Sequence, residues 1–159
     1  MINLNLKGKK MLEIQNMKFV NMLYPQIKDD GDLADNTYAD TAGWSHLRVL
    51  IQIGNLDIGL GSTTEGSAPK IEECDTTGGS YTDVSGAALA DAIGAGEDGK
   101  LFAIDIDLTK SHKRYMQINA PHAGDGTNGV NASALGILSR PDVGPVNAAE
   151  AGLEELISA

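Results

Sequence analysis

Residues 100–108, Lys-Leu-Phe-Ala-Ile-Asp-Ile-Asp-Leu, decide the fold class because they alternate between two kinds of position. One face carries Phe102, Ile104, Ile106 and Leu108, and the other carries Leu101, Ala103, Asp105 and Asp107. A period of two residues with β-branched side chains is the main sequence signal of a strand with one buried face. We therefore predict a β-strand over Lys100–Leu108.

A second segment, from His46 to Ile53, repeats this pattern. One face is aliphatic and the other holds polar side chains; the aliphatic residues are Leu47, Val49, Ile51 and Ile53. Leu50 is the exception, because it falls on the face of His46, Arg48 and Gln52. Gly54 and Asn55 follow as a turn signal, so we predict a strand that ends there.

Shorter segments between turn signals supply the remaining predicted elements. The strands are Met17–Leu23, ended by Pro25, and then Pro69–Cys74, Tyr81–Val84, Arg114–Ala120 and Asn131–Ser139. Two segments have helix-forming composition, Ala87–Ile93 and Ala148–Ile157. We expect Arg114–Ala120 to form an antiparallel hairpin with Lys100–Leu108, with Asp107 facing Lys113 or Arg114.

Many short strands without long intervening helices predict an all-β fold, a small antiparallel β-sandwich or jelly roll. We place an extended N-terminal arm at residues 1–16, the sandwich at 17–140 and a short C-terminal tail at 141–159. A domain of this length buries a sufficient core without disulfides, and the chain has one cysteine, Cys74.

Charge is unevenly distributed along the 159 residues, whose net charge is −10. Residues 1–28 hold five lysines and one acid, a net charge of +4, whereas residues 29–159 carry −14. An acidic body repels nucleic acid and anionic membranes, so we predict neither as a partner. No segment approaches ~20 apolar residues, and residues 1–7 lack the apolar core of a signal peptide, so we expect synthesis in a cytoplasm.

None of the candidate catalytic or cofactor motifs has the neighbouring elements or partner residues that its chemistry requires. A dinucleotide site needs a strand before its Gly-x-Gly-x-x-Gly motif and a helix after it. The match at 94–99 is followed by a predicted strand and holds two acids that would repel phosphate, and the match at 124–129 follows a strand but precedes strand-like sequence. Neither His46, His112 nor His122 has a His or Cys partner at metal-ligand spacing. We predict no catalytic residues, no cofactor and no metal, and hence no enzyme.

Two loops keep a calcium site open as an alternative. The carboxylates Asp29, Asp30, Asp32 and Asp35 cluster in one loop, and Asp125 and Asn128 share another. The EF-hand spacing does not fit either loop. Asp105 and Asp107 share one strand face, where we expect them to provide solubility and to discourage edge pairing.

An ordered set of short motifs resembles a family of small tailed-bacteriophage virion structural proteins, over about residues 17–140. The matching stretches are Asp40–Trp44 (Asp-Thr-Ala-Gly-Trp), Gly54–Ile58, Lys70–Thr76, Asp107–Leu108 with Lys113–Tyr115, and Ala123–Gly126 with Leu138–Arg140. The resemblance implies a part of the virion and supplies no active site.

The resemblance does not settle which part of the virion this is. The small, acidic, strand-rich body, the failure of the catalytic motifs and the two extendable chain ends lead us to expect a capsid decoration, or cement, protein that binds the exterior of the phage head and bridges capsomers. Its expected partners are the major capsid protein and further copies of itself, as a trimer. The predicted partner-binding residues are Met11, Leu12, Ile14, Met17, Phe19, Met22, Leu23 and Trp44. The alternatives are a carbohydrate- or receptor-binding module of a head protrusion or fibre, and a head-completion protein.

Overall fold

The computed structural model describes residues 16–28, 37–61, 68–120, 129–144 and 148–155. The regular elements in these ranges are eight strands. They are β1 (Met17–Lys28), β2 (Tyr38–Asp40), β3 (Trp44–Leu56), β4 (Lys70–Cys74), β5 (Thr82–Ala88), β6 (Leu101–Asp107), β7 (Tyr115–Asn119) and β8 (Val130–Pro141). No helix in the described ranges is long and apolar enough to cross a membrane.

The strands form two four-stranded sheets, in the orders β1-β8-β3-β6 and β2-β7-β4-β5. All pairs are antiparallel. The chain folds back on itself like one long hairpin, so that the first strand pairs with the last and the middle strands pair with each other. The pairs are β1 with β8, β2 with β7, β3 with β6 and β4 with β5. This is the strand order of a jelly roll. The predicted all-β sandwich is therefore confirmed.

The core lies between the sheets and follows the predicted alternation. Leu47, Val49 and Ile51 of β3 are each 0% exposed, and Ile104 and Ile106 of β6 are buried beside them. From the other sheet, β4 and β7 contribute Ile71, Met116 and Ile118. Burying such a side chain stabilises the fold by about 1.5–3 kcal/mol. The face predictions for β3 and β6 are confirmed.

The predicted hairpin between Lys100–Leu108 and Arg114–Ala120 is wrong. Strand β6 pairs with β3 in the first sheet, whereas β7 lies between β2 and β4 in the second. Residues 108–114 therefore cross from one sheet to the other. Alternation identifies the buried face of a strand but carries no information about its neighbour, and proximity in sequence favoured the wrong partner.

Strand β1 continues to Lys28 through Pro25, which does not end it. The ladder with β8 shifts register between Asn21 and Leu23 and again between Leu23 and Gln26. An irregular edge strand tolerates a proline, because the missing N–H is not needed by a second neighbour. Strand β2 is only three residues long, and its polar surroundings gave no alternation from which to predict it.

Neither predicted helix occurs in the described residues. Ala87 and Ala88 end β5, and Ile93 forms an isolated bridge with Leu60. Residues 148–153 make a single turn, in which Leu153 N–H donates to Ala148 O at 2.9 Å. The left-handed Gly152 (φ 74°) ends this turn, so the helix that the composition predicts does not continue beyond it.

The C-terminal turn packs on the edge of the sandwich. Phe19 N–H of β1 donates to Ala151 O at 2.8 Å, and Ala151 is 3% exposed. Residues 148–153, placed in the tail by the sequence, therefore cover part of the free edge of β1. Covered edges resist pairing with other chains.

Candidate functional site

An apolar band crosses the outer face of the first sheet. Leu50 of β3 lies directly opposite Leu135 of β8 on one side and Ala103 of β6 on the other. Residues in opposite positions of a sheet project to the same face. The adjoining rows place Phe19 opposite Ile137, and Leu101 opposite Gln52. The apolar band thus comprises Phe19, Ile137, Leu135, Leu50, Ala103 and Leu101.

Solvent reaches much of this band. Leu101 is 63% and Leu135 is 37% exposed, and Phe19, Leu50 and Ile137 are half-buried. Single exposed apolar residues are ordinary on protein surfaces, whereas contiguous ones mark interaction sites. Leu50, the exception to the alternation of β3, therefore belongs to an apolar surface to which three other strands also contribute residues.

Charged groups border the band on the same face. Arg48 donates to Asp105 twice, from Nε to Oδ1 and from Nη2 to Oδ2, each at 2.8 Å. His46 lies 3.1 Å from Asp105 Oδ1 and 3.0 Å from Ser139 Oγ. The hydrogen bonds from Arg48 hold the pKa of Asp105 below its ordinary range. The result is an apolar strip with a polar rim, the usual anatomy of a protein interface.

The five predicted partner-binding residues that the structure describes separate into three groups. Met17 and Phe19 are half-buried at the start of β1, and Phe19 belongs to the apolar band. Met22 and Leu23 are 0% and 1% exposed and lie in the core, which leaves them unavailable to a partner of the folded chain. Trp44 packs against the core and is only partly exposed.

Met11, Leu12 and Ile14 lie outside the described residues. The described chain begins beside a cavity of about 610 Å³, lined by Asn16, Met17, Ser139, Arg140, Pro141, Asp142 and Gly144. Arg140 has a left-handed backbone (φ 55°), which is strained for a residue with a Cβ. The chain therefore enters β1 next to a bent strand end, at the edge of the sheet that carries the apolar band.

The outer face of the second sheet has a different chemistry. Three of the four tyrosines of the chain meet there, from β2, β7 and the segment before β5: Tyr38, Tyr115 and Tyr81. The rings of Tyr38 and Tyr115 meet edge to face, with centroids 5.2 Å apart. Burial raises the pKa of Tyr81, and the neighbouring Cys74, Tyr38 and Tyr115 add to the effect.

Polar side chains continue this face beyond the tyrosines. Glu72 of β4 accepts hydrogen bonds from Gln117 Nε2 at 3.2 Å and from Asn119 Nδ2 at 2.7 Å. Lys70 donates to Asp83 at 3.0 Å. We call Tyr38, Tyr81, Tyr115, Glu72, Gln117 and Asn119 together the tyrosine face. Sequence analysis could not assemble it, because its members come from four separate segments.

The corner between β2 and β3 accounts for one of the motifs behind the resemblance. Asp40 Oδ1 accepts the N–H of Ala42 at 3.2 Å, and the left-handed Gly43 (φ 80°) completes the bend. Thr41 is 1% exposed, and its N–H and Oγ1 both donate to Arg114 O. The stretch Asp40–Trp44 is therefore a structural corner that carries the chain from one sheet to the other.

A groove of about 550 Å³ separates the edge strands β5 and β6. Its lining includes Glu73, Asp83, Asp105, Asp107 and His112. Each of the two carboxylates on β6 has a structural partner: Arg48 binds Asp105, and Thr109 donates its N–H and Oγ1 to Asp107. Within the described residues the buried His112 Nε2 has no hydrogen-bond partner.

Glu73, which also lines the groove, accepts a hydrogen bond from the backbone N–H of Lys113 through its Oε2 at 2.9 Å. In the described part of the chain, no three His, Cys, Asp or Glu side chains are grouped so as to hold a metal ion. The proposed calcium loops at residues 29–35 and 125–128, and His122, lie outside the described ranges.

Two further sequence features have local structural roles. In the first glycine motif, Gly94 N–H donates to Glu97 Oε2 at 2.9 Å, and this bond lowers the pKa of Glu97. Cys74 is buried under residues 76–79, since a side chain on Gly79 would meet its Sγ. Both observations describe loop packing.

No family model, curated protein or solved structure matches the chain.

Proposed function

We propose that this protein is a structural component of a tailed-bacteriophage particle, a decoration protein that binds the outside of the head. The observation that carries the proposal is the apolar band, a continuous apolar surface on a rigid sheet with a rim of paired charges. The motif resemblance over about residues 17–140 supports the phage assignment. Jelly rolls also recur among capsid domains, which is an argument by analogy of fold.

In this proposal the apolar band lies against the major capsid protein. The band removes apolar area from water on docking, and the charged rim fixes orientation. Bridging two capsomers adds an interface that must be broken before the shell opens, so bound copies stabilise the shell by mass action.

The N-terminal segment gives this docking a second point of attachment. Residues 1–28 carry a net charge of +4, in contrast to −14 for the remainder, and their described part includes β1, an edge strand of the sheet that carries the band. A basic segment suits an acidic partner surface, while the acidic body repels other copies at a distance. In this proposal, copies of the protein contact one another, for example as a trimer, once they are bound side by side on the shell.

The test is quantitative mass spectrometry of purified particles of the encoding phage. A copy number comparable with that of the major capsid protein supports a decoration role. A few copies per particle would instead indicate a head-completion protein and overturn the decoration proposal. Absence from particles would overturn the virion assignment altogether.

A further inference from the structure

We infer that the tyrosine face is a binding site for a neutral oligosaccharide. This inference does not rest on the proposed function, because it concerns the opposite sheet and is tested on the isolated protein. If both are correct, a chain that docks through its first sheet turns the tyrosine face outward, since the two sheets of a sandwich face opposite directions.

An exposed aromatic ring is the first requirement of sugar recognition, because the C–H faces of pyranose rings pack against it. Tyr38 is 42% exposed on the three-residue strand β2, at the margin of the sheet. Tyr115 meets it edge to face and is itself covered by the Arg114 guanidinium, 5.1 Å from the ring centroid. These contacts fix the orientation of the Tyr38 ring before a ligand arrives, which reduces the entropy lost on binding.

A row of hydrogen-bonding groups beside the ring is the second requirement. Gln117 lies directly opposite both Tyr38 on β2 and Glu72 on β4, so the three side chains form one row across the sheet. Glu72 holds the amides of Gln117 and Asn119 in place through its two oxygens. Each amide retains its carbonyl oxygen as an acceptor, and Glu72 retains lone pairs for ligand hydroxyls.

The charges of this face select the class of sugar. Among the described residues beside it, Arg114 pairs with Asp40 at 2.7 Å and Lys70 pairs with Asp83 at 2.9 Å. Glu72 adds a carboxylate whose hydrogen-bond donors are the neutral amides. Recognition of an acidic sugar needs an available cation, whereas the charged member of the tyrosine face as defined above is the carboxylate Glu72. The ligand chemistry is therefore that of a neutral hexose or N-acetylhexosamine chain.

The experiment is a glycan array that carries neutral oligosaccharides beside their sialylated counterparts, followed by calorimetric titration of the best neutral ligand. Four proteins are compared: the unchanged chain, Tyr38→Ala, Glu72→Gln and Tyr24→Ala. Tyr24 is the matched control, because it is 46% exposed but lies on β1 in the other sheet. Far-ultraviolet circular dichroism and Tm establish that each variant folds.

The inference predicts saturable binding of a neutral glycan that Tyr38→Ala weakens about tenfold or more and that Tyr24→Ala leaves within twofold, as loss of one stacking ring implies. Glu72→Gln, which keeps the shape but removes the charge, should weaken binding as well. Absence of binding to any neutral glycan, binding of sialylated glycans alone, or equal effects of the two tyrosine variants would each overturn it. None of these outcomes bears on the presence of the protein in particles.

Discussion

Arg114 donates two hydrogen bonds to Asp40, from Nε to Oδ1 at 2.8 Å and from Nη2 to Oδ2 at 2.7 Å. The two residues are 74 positions apart and belong to two of the motifs on which the phage resemblance depends. Asp40 closes β2 and Arg114 precedes β7, so the pair secures the corner through which the chain passes from the second sheet to the first. These two motifs therefore belong to one structural feature, the corner between the two sheets.

Asp40→Asn should lower Tm by about 2 °C at pH 7, the size expected for a half-exposed ion pair. The hydrogen bond from Arg114 lowers the pKa of Asp40 from its ordinary 3.8. A depressed carboxyl pKa contributes stability above the unfolded value, and that stability is lost as the pH falls through the folded pKa. The difference between the two proteins should therefore shrink below about pH 4. Thermal unfolding from pH 7 to pH 2.5 measures it.

The control for this experiment is Asp91→Asn, the same change at an exposed aspartate in the loop after β5. Its effect on Tm should be smaller at neutral pH. A difference for Asp40→Asn that persists unchanged into strong acid would show that the carboxylate charge does not stabilise the corner.

Gly136→Ala should destabilise the protein by about 1–3 kcal/mol, because the new methyl overpacks the core. Gly136 lies between Val20 and Val49 in the first sheet, and a Cβ there would meet Met22 Sδ at 2.7 Å. Chemical denaturation gives the free energy of unfolding. The exposed Gly96, around which a Cβ meets nothing within 4 Å, provides the matched change Gly96→Ala.

A double-mutant cycle assigns the Gly136 effect to Met22. If the two side chains compete for one space, Met22→Ala combined with Gly136→Ala should cost less than the sum of the single changes. Strict additivity would mean that Met22 does not occupy the space above Gly136.

Gly152→Ala should detach the C-terminal turn from β1. Gly152 has φ 74°, and a Cβ there would collide with the Phe19 carbonyl oxygen. Loss of the hydrogen bond from Phe19 N–H to Ala151 O should accelerate exchange of the Phe19 amide, whereas amides in β3 should keep their protection. Hydrogen exchange by NMR measures both. An unchanged Phe19 amide would argue against this contact.

Leu135→Asp should reduce incorporation into particles about tenfold or more, because a charge at the centre of the apolar band would be buried without a partner on docking. Val143→Asp is the matched control, since Val143 is 85% exposed in the segment after β8 and lies outside the band. Both variants should fold, and mass spectrometry of particles from cells producing each variant gives the occupancy. Equal occupancy would exclude the band as the docking surface.

The sequence predicted the buried face of individual strands, but it did not predict which strands pair with each other. Alternation in residues 100–108 correctly assigned Ile104 and Ile106 to the core, but it could not show that β6 pairs with β3. Leu50 was visible as an exception, whereas its neighbour Leu135 is 85 positions away and became meaningful only through the register. The tyrosine face was hidden for the same reason.

Burial also separates residues that the sequence grouped together. Met22 and Phe19 share an apolar segment, yet one is 0% exposed in the core and the other lies in the apolar band. Phe19 and Met22 fall on opposite faces by simple alternation, since they are three residues apart. The burial of Leu23 directly after Met22 accompanies the register shift between Asn21 and Leu23, which the sequence pattern did not predict.

A cryo-EM map of the intact particle tests the central claim most directly. The account predicts many copies on the outside of the head, with Leu50 and Leu135 against the major capsid protein and the tyrosine face turned to solvent. A map in which the chain is absent from the shell, or in which the apolar band faces solvent, would contradict it.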